Sequence, residues 1–394
     1  MILVEERDEV MKMRWAFKRM AKVLKRIKDP RQPWKVQHCL VEILLICIIG
    51  ITAGADSSHR IHLFAVNRAK WLKKYVSLNH GIPGRLTIER VLAVIDPKAM
   101  EQAFISIMQL AQRASKGKVV AIDGKAFFSN RNEDGTANVF YMVGAWCAAN
   151  GIALGQVQTK EKSNEITAIP ELLKYLGIKG ATVTIDAIGC QKQIVKQIVK
   201  KNKANYVIAL KQNQPTMYNE FTEYAQDCIA DPLQLSKYNK LITLDKGHGR
   251  IEKRAYFLFN DLTWFANRKD WVGLASLVMV HSTRQIGNKK PTSETRYYIT
   301  SLTEIQPAAD AIRSHWGIEN CLHWVLDVAF DEDGWATKKS TTAANLSHLR
   351  RLTANLLRAD TSSSLSEPVF IVLRAWKAGY EDVIFVRKLP QKRP

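Results

Sequence analysis

Two short apolar segments that each end in an aspartate, VVAID (119–123) and TVTID (182–186), constrain this 394-residue chain more than any other feature. Each has the length and the branched residues of a buried strand, and each carries its one charge at its last position. VVAID, the stretch from Tyr141 to Cys147 and the stretch from Ala153 to Gln158 read as three successive strands. Asn150-Gly151 supplies a hairpin turn between the second and third. A helix follows, with Pro170 in its first turn and Gly177 just past its end. Next come a strand at 181–186, a helix at 191–203, a strand at 205–211 and a helix at 215–229. The order β-β-β-α-β-α-β-α predicts an α/β fold, a mixed sheet flanked by helices.

In that order the first and fourth strands can lie side by side, which brings Asp123 and Asp186 to one end of the sheet. Taken singly, each has an ordinary explanation: Asp123-Gly124 is a turn signal, and Asp186 could cap the helix after it. Taken together, two carboxylates that close repel each other, and a bound cation relieves the repulsion. A third acid is available on the helix expected from about Pro307 to Phe330. There His315, Glu319, His323 and Asp327 recur every fourth residue beside an apolar stripe of Ile318, Leu322, Val325 and Ala329. That polar stripe is either a solvated face or a ligand row. A zinc site built on the two histidines fits less well, because the glutamate stands four residues from each and the pattern is not H-E-x-x-H.

The rest of the chain sets the context. Residues 1–112 read as a helical N-terminal domain that begins with a basic helix (11–28), whose apolar stripe is Met13, Phe17, Met20, Leu24 and Ile27. That helix is a DNA-contacting arm, a solvated face or a membrane-surface helix. Residues 113–358 hold the α/β domain, and a β-rich insertion at 232–305 shows strands at 254–259, 274–280 and 296–302. A helical stretch spans about 341–358, and residues 359–394 form a tail. The net charge of +21 favours a polyanionic partner. The apolar run from Ile43 to Ala55 is too short for a bilayer span, which takes about 20 residues. Six scattered cysteines without a paired spacing read as reduced thiols of a cytoplasmic protein.

Long ordered strings carry a resemblance over residues 29 to 357. They are DPRQPWKVQHCLVEILLICIIG, HGIPGRLTIERVLAVIDP, AIDGK, WCAANGIALGQVQTKEKSNEITAIPELL, VTIDAIGCQKQI, LKQNQ, HGRIEKR and HWGIENCLHWVLDVAFDED. The chain resembles transposases of the bacterial ISAs1 insertion-sequence family, including the H-repeat-associated proteins. The resemblance implies a ribonuclease-H-like core with a β-insertion before the last acid, and it implies that Asp123, Asp186 and Glu319 form an acidic triad. The gaps of 62 and 132 residues between those acids suit such a core. HWGIEN is similar to the Y-x-x-R-x-x-x-E-x-x-x-x-x-x-K signature of related transposases, with His315 at the arginine position, Ile312 at the tyrosine and Leu326 at the lysine. The chain departs from the family pattern at Ala126-Phe127-Phe128, at Gln212 and at Gly334-Trp335-Ala336.

The implied activity is metal-dependent DNA cleavage and strand transfer with two Mg²⁺ or Mn²⁺ ions. Lys125, Lys162, Lys211, His248, Arg250 and His315 lie in family-like motifs as contacts to DNA phosphate. The expected partners are the element's terminal inverted repeats, target double-stranded DNA and a second copy of the chain, at the nucleoid in the bacterial cytoplasm, with no membrane. Two neighbouring readings are a decayed transposase that only binds DNA and a nuclease that cuts without joining.

Overall fold

A computed structural model describes residues 18–111, 117–131, 137–159, 165–231, 233, 236–247, 249–330, 332 and 340–359. Lys162, His248, Gly334-Trp335-Ala336, the tail from 360 and the first part of the basic helix, with Met13 and Phe17, lie outside the described residues.

The fold is mixed α/β, centred on one nine-stranded sheet in the order β3-β2-β1-β4-β5-β9-β8-β7-β6. Its strands are β1 (Val119–Arg131), β2 (Ala137–Cys147), β3 (Ile152–Thr159), β4 (Thr182–Ile185), β5 (Asn205–Leu210), β6 (Asn239–Gly247), β7 (Arg250–Phe259), β8 (Ser276–Ile286) and β9 (Thr292–Thr300). Strands β1, β4 and β5 run parallel, whereas β2 and β3 on one side and β9 to β6 on the other pair antiparallel. The first and fourth strands are therefore neighbours. The β-rich insertion differs from expectation in two ways. It continues the central sheet through β5–β9 pairing, and it contains an extra strand, β6, whose largely exposed residues give little apolar signal.

Among the described residues, six α-helical segments and a 3₁₀ turn (Pro33–Lys35) precede the sheet: the helices are α1 (18–24), α2 (Leu40–Thr52), α3 (Ser58–Asn67), α4 (Ala69–Leu72), α5 (Arg85–Val94) and α6 (Pro97–Ala111). The apolar run in α2 is buried in the protein along nearly its whole length. No described helix is long and apolar enough to cross a membrane. In the basic segment Met20, Leu24 and Ile27 enter the core, while Lys22, Lys25, Arg26 and Lys28 stay exposed.

Three helices follow strands of the sheet: α7 (Glu165–Tyr175) after β3, α8 (Lys192–Lys196) after β4 and α9 (Pro215–Ala230) after β5. Their apolar residues share one core with Val120, Ile122, Val183, Ile185 and Ile208 on one sheet face. Pro170 sits inside α7 rather than in its first turn, and its carbonyl accepts a bond from the Gln197 amide (2.7 Å).

The other face is covered by the C-terminal helices α10 (Ile305–His315), α11 (Trp324–Phe330) and α12 (Ser340–Ala359) together with the N-terminal helices. Ala308, Ala309, Ala311 and Ile312 of α10 pack on Val207, Tyr256, Leu258, Val278 and Val280. Residues of α12 join those of α2, α5 and α6 in a single core. The long helix expected over 307–330 is interrupted by a π-helical turn at Ile318–His323.

Helix α12 buries polar side chains to an unusual degree. Asn345 donates to the carbonyls of Leu92 (2.9 Å) and Ile95 (3.0 Å), and Asn355 donates to Ala153 O (2.8 Å) and accepts from Ala153 N (2.8 Å). Arg351, 2% exposed, pairs at 2.8 Å with Glu332, 1% exposed. Burial alone would raise the Glu332 carboxyl, but Arg351, Lys125 and Arg350 overcome it and hold the group ionised.

Removing one partner of a buried pair leaves an uncompensated charge. Arg351→Met should therefore destabilise by about 3–5 kcal/mol, and adding Glu332→Gln should recover most of the loss, as read by urea denaturation. A second test concerns Glu101 of α6, whose carboxyl is pushed up to about 8 by burial and by Glu171. Because this folded-state value lies above that of the unfolded chain, folding takes up a proton, and stability falls as pH rises from the ordinary glutamate range to about 8. Glu101→Gln should flatten that part of the stability–pH curve.

Candidate active site

Strand alternation sorts the residues of β1. Val120 and Ile122 face α7 and α8, so Asp123 and Lys125 face the C-terminal helices. The apolar run ends at Asp123 as read from sequence, yet the strand does not: pairing with β2 continues through Gly124↔Val143 to Arg131↔Ala137. Asp123-Gly124 is therefore mid-strand and not a turn. A Cβ on Gly124 would collide with the buried Glu165 carboxylate, so glycine gives that carboxylate its room.

The parallel register Ala121↔Thr184 and Ile122↔Ile185 makes Asp123 and Asp186 the next residues along their strands, on one face and at one level. Asp186 is exposed, stands just beyond β4 and accepts a bond from Ile188 N (3.2 Å) at the head of a short 3₁₀ turn, Ala187–Gly189. Asp186 caps this short turn rather than the helix that follows, whose N-cap is Gln191, and its charge acts on Asp123.

Glu319 comes from the π turn. Such turns insert one residue into a helix and recur at functional sites. Glu319 shares a hydrogen bond with Asp123, and His323, 6% exposed, lies 3.4 Å from Glu319 and 3.9 Å from Asp123 through Nδ1. Burial raises the Asp123 carboxyl well above the usual aspartate range, and the charges of Glu319 and Asp186 raise it further. The Glu319 carboxyl moves the other way, chiefly because His323 bonds to it. Ligand atoms of Asp123, Glu319 and His323 all lie within 4.8 Å of one another, a spacing a single divalent ion can bridge.

The remaining sequence candidates divide. His315, at the end of α10, meets Thr184 Oγ1 at 3.0 Å between Asp186 and Glu319, and burial lowers its imidazole against the pull of both acids. Lys125 ion-pairs with Asp327 and lies 3.5 Å from Glu332, which ties β1 to the helix after Glu319. Lys211 is exposed directly after β5 and helps hold Glu294 ionised. Arg250 lies on β7, three strands beyond β5, paired with Glu252 among Arg284, Arg254 and Arg313.

From sequence, His323 is one member of a polar stripe and of a less fitting two-histidine zinc site, and in LKQNQ only Lys211 and Gln212 stand out. The i+4 spacing from Glu319 was the available signal for His323. For Asn213 and Gln214 there was none, because their partners lie in a loop brought near only by the β4–β5 pairing.

Comparison with known proteins gives a consistent result. Residues 114–356 match the family described as the transposase DDE domain, and residues 21–108 match the associated N-terminal family. YncI of Escherichia coli O157:H7, a transposase by name, is 39% identical over 336 residues, covering 84% of this chain and 85% of its own. YhhI of Escherichia coli K12, named as an H repeat-associated transposase, is 34% identical over 354 residues, covering 87% and 91%. Among solved structures, a piggyBac transposase synaptic complex with hairpin DNA aligns at 10% identity with a TM-score of 0.42, covering 98% of this chain and 84% of that one. With both family patterns matched in order and the relatives aligned over most of their length, this chain belongs to the DDE transposase family.

Proposed function

We propose that this protein cleaves DNA at the ends of its own insertion element and joins the freed ends to target DNA, with Asp123, Asp186 and Glu319 as the catalytic acids of a ribonuclease-H-like core. What supports the reading is that ligand atoms of Asp123 and Glu319 lie with those of His323 within 4.8 Å of one another, while the β1–β4 register brings Asp186, which lies outside that group, close enough to raise the Asp123 carboxyl. Two carboxylates and an imidazole within 4.8 Å of one another, with Asp186 near Asp123, suit a divalent cation; burial first, and then the charges of Glu319 and Asp186, raise the Asp123 carboxyl, and a cation would relieve that repulsion. Two Mg²⁺ or Mn²⁺ ions, held by Asp123, Asp186 and Glu319, would supply Lewis-acid activation of the attacking and leaving oxygens of a phosphodiester.

The chain's own groups account for the rest. His323 fixes the Glu319 carboxylate by hydrogen bonding, so a ligand oxygen is aimed before substrate arrives. His315 is held against Thr184 beside Asp186, where it can donate to a phosphate oxygen. Lys211, Arg250, Arg284 and Arg313 offer basic groups at the surface that a DNA backbone could contact, whereas Arg254 is buried against Asp245 and Glu252. Lys125 serves the site from within, by setting the position of α11 through Asp327. The helical N-terminal region, residues 1–112, is assigned to binding the element's terminal repeats, and two copies would hold the two ends together on DNA in the bacterial cytoplasm.

Asp123→Ala, Asp186→Ala and Glu319→Ala should each lower Mg²⁺-dependent nicking by at least about a thousandfold while leaving DNA affinity near that of the unaltered protein. The assay is nicking of a supercoiled plasmid that carries the coding region with its native flanking DNA; near-normal cleavage by any one variant would remove that residue from the triad. DNA binding without cleavage by the unaltered protein would favour the binding-only alternative. His323→Ala should lower the rate by about 10–100-fold and weaken Mn²⁺ binding, with little change in DNA affinity.

A further inference from the structure

The carboxylate of Asp186 is attached to a weak support. Beyond β4 the chain makes one 3₁₀ turn of three residues, Ala187–Gly189, before α8 begins at Lys192. Such a turn has poor internal hydrogen-bond geometry and cannot by itself fix a side chain to the accuracy that phosphoryl chemistry requires. The turn is bonded to Asp186 directly, since Ile188 N donates to Asp186 Oδ1 (3.2 Å). Any shift of the turn therefore moves the carboxylate.

Two side chains from a different loop hold this turn. Asn213 Nδ2 donates to Ala187 O (2.5 Å), and Gln214 Nε2 donates to Cys190 O (2.8 Å). They bracket the turn, one bond at its first residue and one at the residue after its last. Both come from the loop between β5 and α9, at the same sheet end as Asp186 because β4 and β5 are parallel neighbours.

The use of Gln214 is informative. It occupies the N-cap position of α9, where a side chain ordinarily satisfies the helix's own first amides, yet it makes no capping bond. Pro215 at the first helical position removes one amide that would need such a bond. The side chain is thereby left to reach 24 residues back along the chain, to the Cys190 carbonyl.

We infer that Asn213 and Gln214 are positioning residues that clamp the Asp186 turn and so keep its carboxylate level with Asp123. The inference rests on the proposed role of Asp186 in catalysis. It gives the last two residues of LKQNQ a task separate from that of Lys211, which points no amide at the turn.

The test uses the full chain with Asn213→Leu and Gln214→Met, which keep side-chain volume and remove the donor. Each should slow nicking of the same supercoiled plasmid by about tenfold, the effect of one lost hydrogen bond felt in the transition state. Each should also weaken Mn²⁺ binding, followed by electron paramagnetic resonance, while Kd for DNA and the unfolding midpoint stay unchanged. Gln214→Glu, equal in shape but without an N–H, should behave like Gln214→Met even if the apolar variants fold poorly. Wild-type nicking and Mn²⁺ affinity in Asn213→Leu, Gln214→Met and Gln214→Glu would overturn the clamp. Asp186→Ala run alongside separates the two ideas: if it still cuts, the role of Asp186 is wrong; if it is dead while the clamp variants are normal, only the clamp is.

Discussion

The parallel pairing of β1 with β4 is the constraint on which the rest of the site depends. Four consecutive register pairs, Val119↔Thr182 to Ile122↔Ile185, fix Asp123 and Asp186 at the same height and on the same face. A slip of one residue would turn one of the two carboxylates to the opposite face, where α7 and α8 pack. Register is enforced by burial, because Val120, Ile122, Val183 and Ile185 all enter one core. The hydrophobic effect thus sets a geometry that electrostatics alone would oppose, since bringing carboxylates together raises the free energy of their ionised forms.

The third acid obeys a different logic. It arrives on a helix whose regularity is broken at the place where it is needed, and His323 and Asp123 both bond to it. Its neighbours are braced in turn: Lys125 links β1 to Asp327 on α11 and lies beside Glu332, which pairs with Arg351 of α12. A chain of charges therefore runs from β1 to α12, the last described helix. These helices share an apolar core and are held in addition by ion pairs and amides, which are directional and fix rotation as well as distance.

Much of this was legible beforehand. Strand order through β5, the adjacency of β1 and β4 and the approach of Asp123 to Asp186 followed from apolar runs and turn residues, because those patterns are local and backed by burial. The continuation of the sheet through β9 was not, since β6 shows mostly exposed residues and the β5–β9 pairing joins segments far apart in the chain. The π turn was equally hidden: an i, i+4 stripe reads as a regular helix whether or not one extra residue is accommodated. Helix α12 was placed, but its buried Asn345, Arg351 and Asn355 look like surface residues until their partners are known. The roles of Lys125, Asn213 and Gln214 depend on contacts between distant segments, which no single-sequence pattern encodes.

The sharing of one core between α12 and the N-terminal helices has a consequence for biosynthesis. Asn345 bonds the carbonyls of Leu92 and Ile95, and Asn355 bonds both backbone groups of Ala153, so segments made early wait for one made late. A nascent chain released before α12 emerges from the ribosome would lack the support of Glu332 and of the helix next to Glu319. The N-terminal helices and the surroundings of Glu319 thus depend on the same helix, and a chain without α12 would lose both supports together.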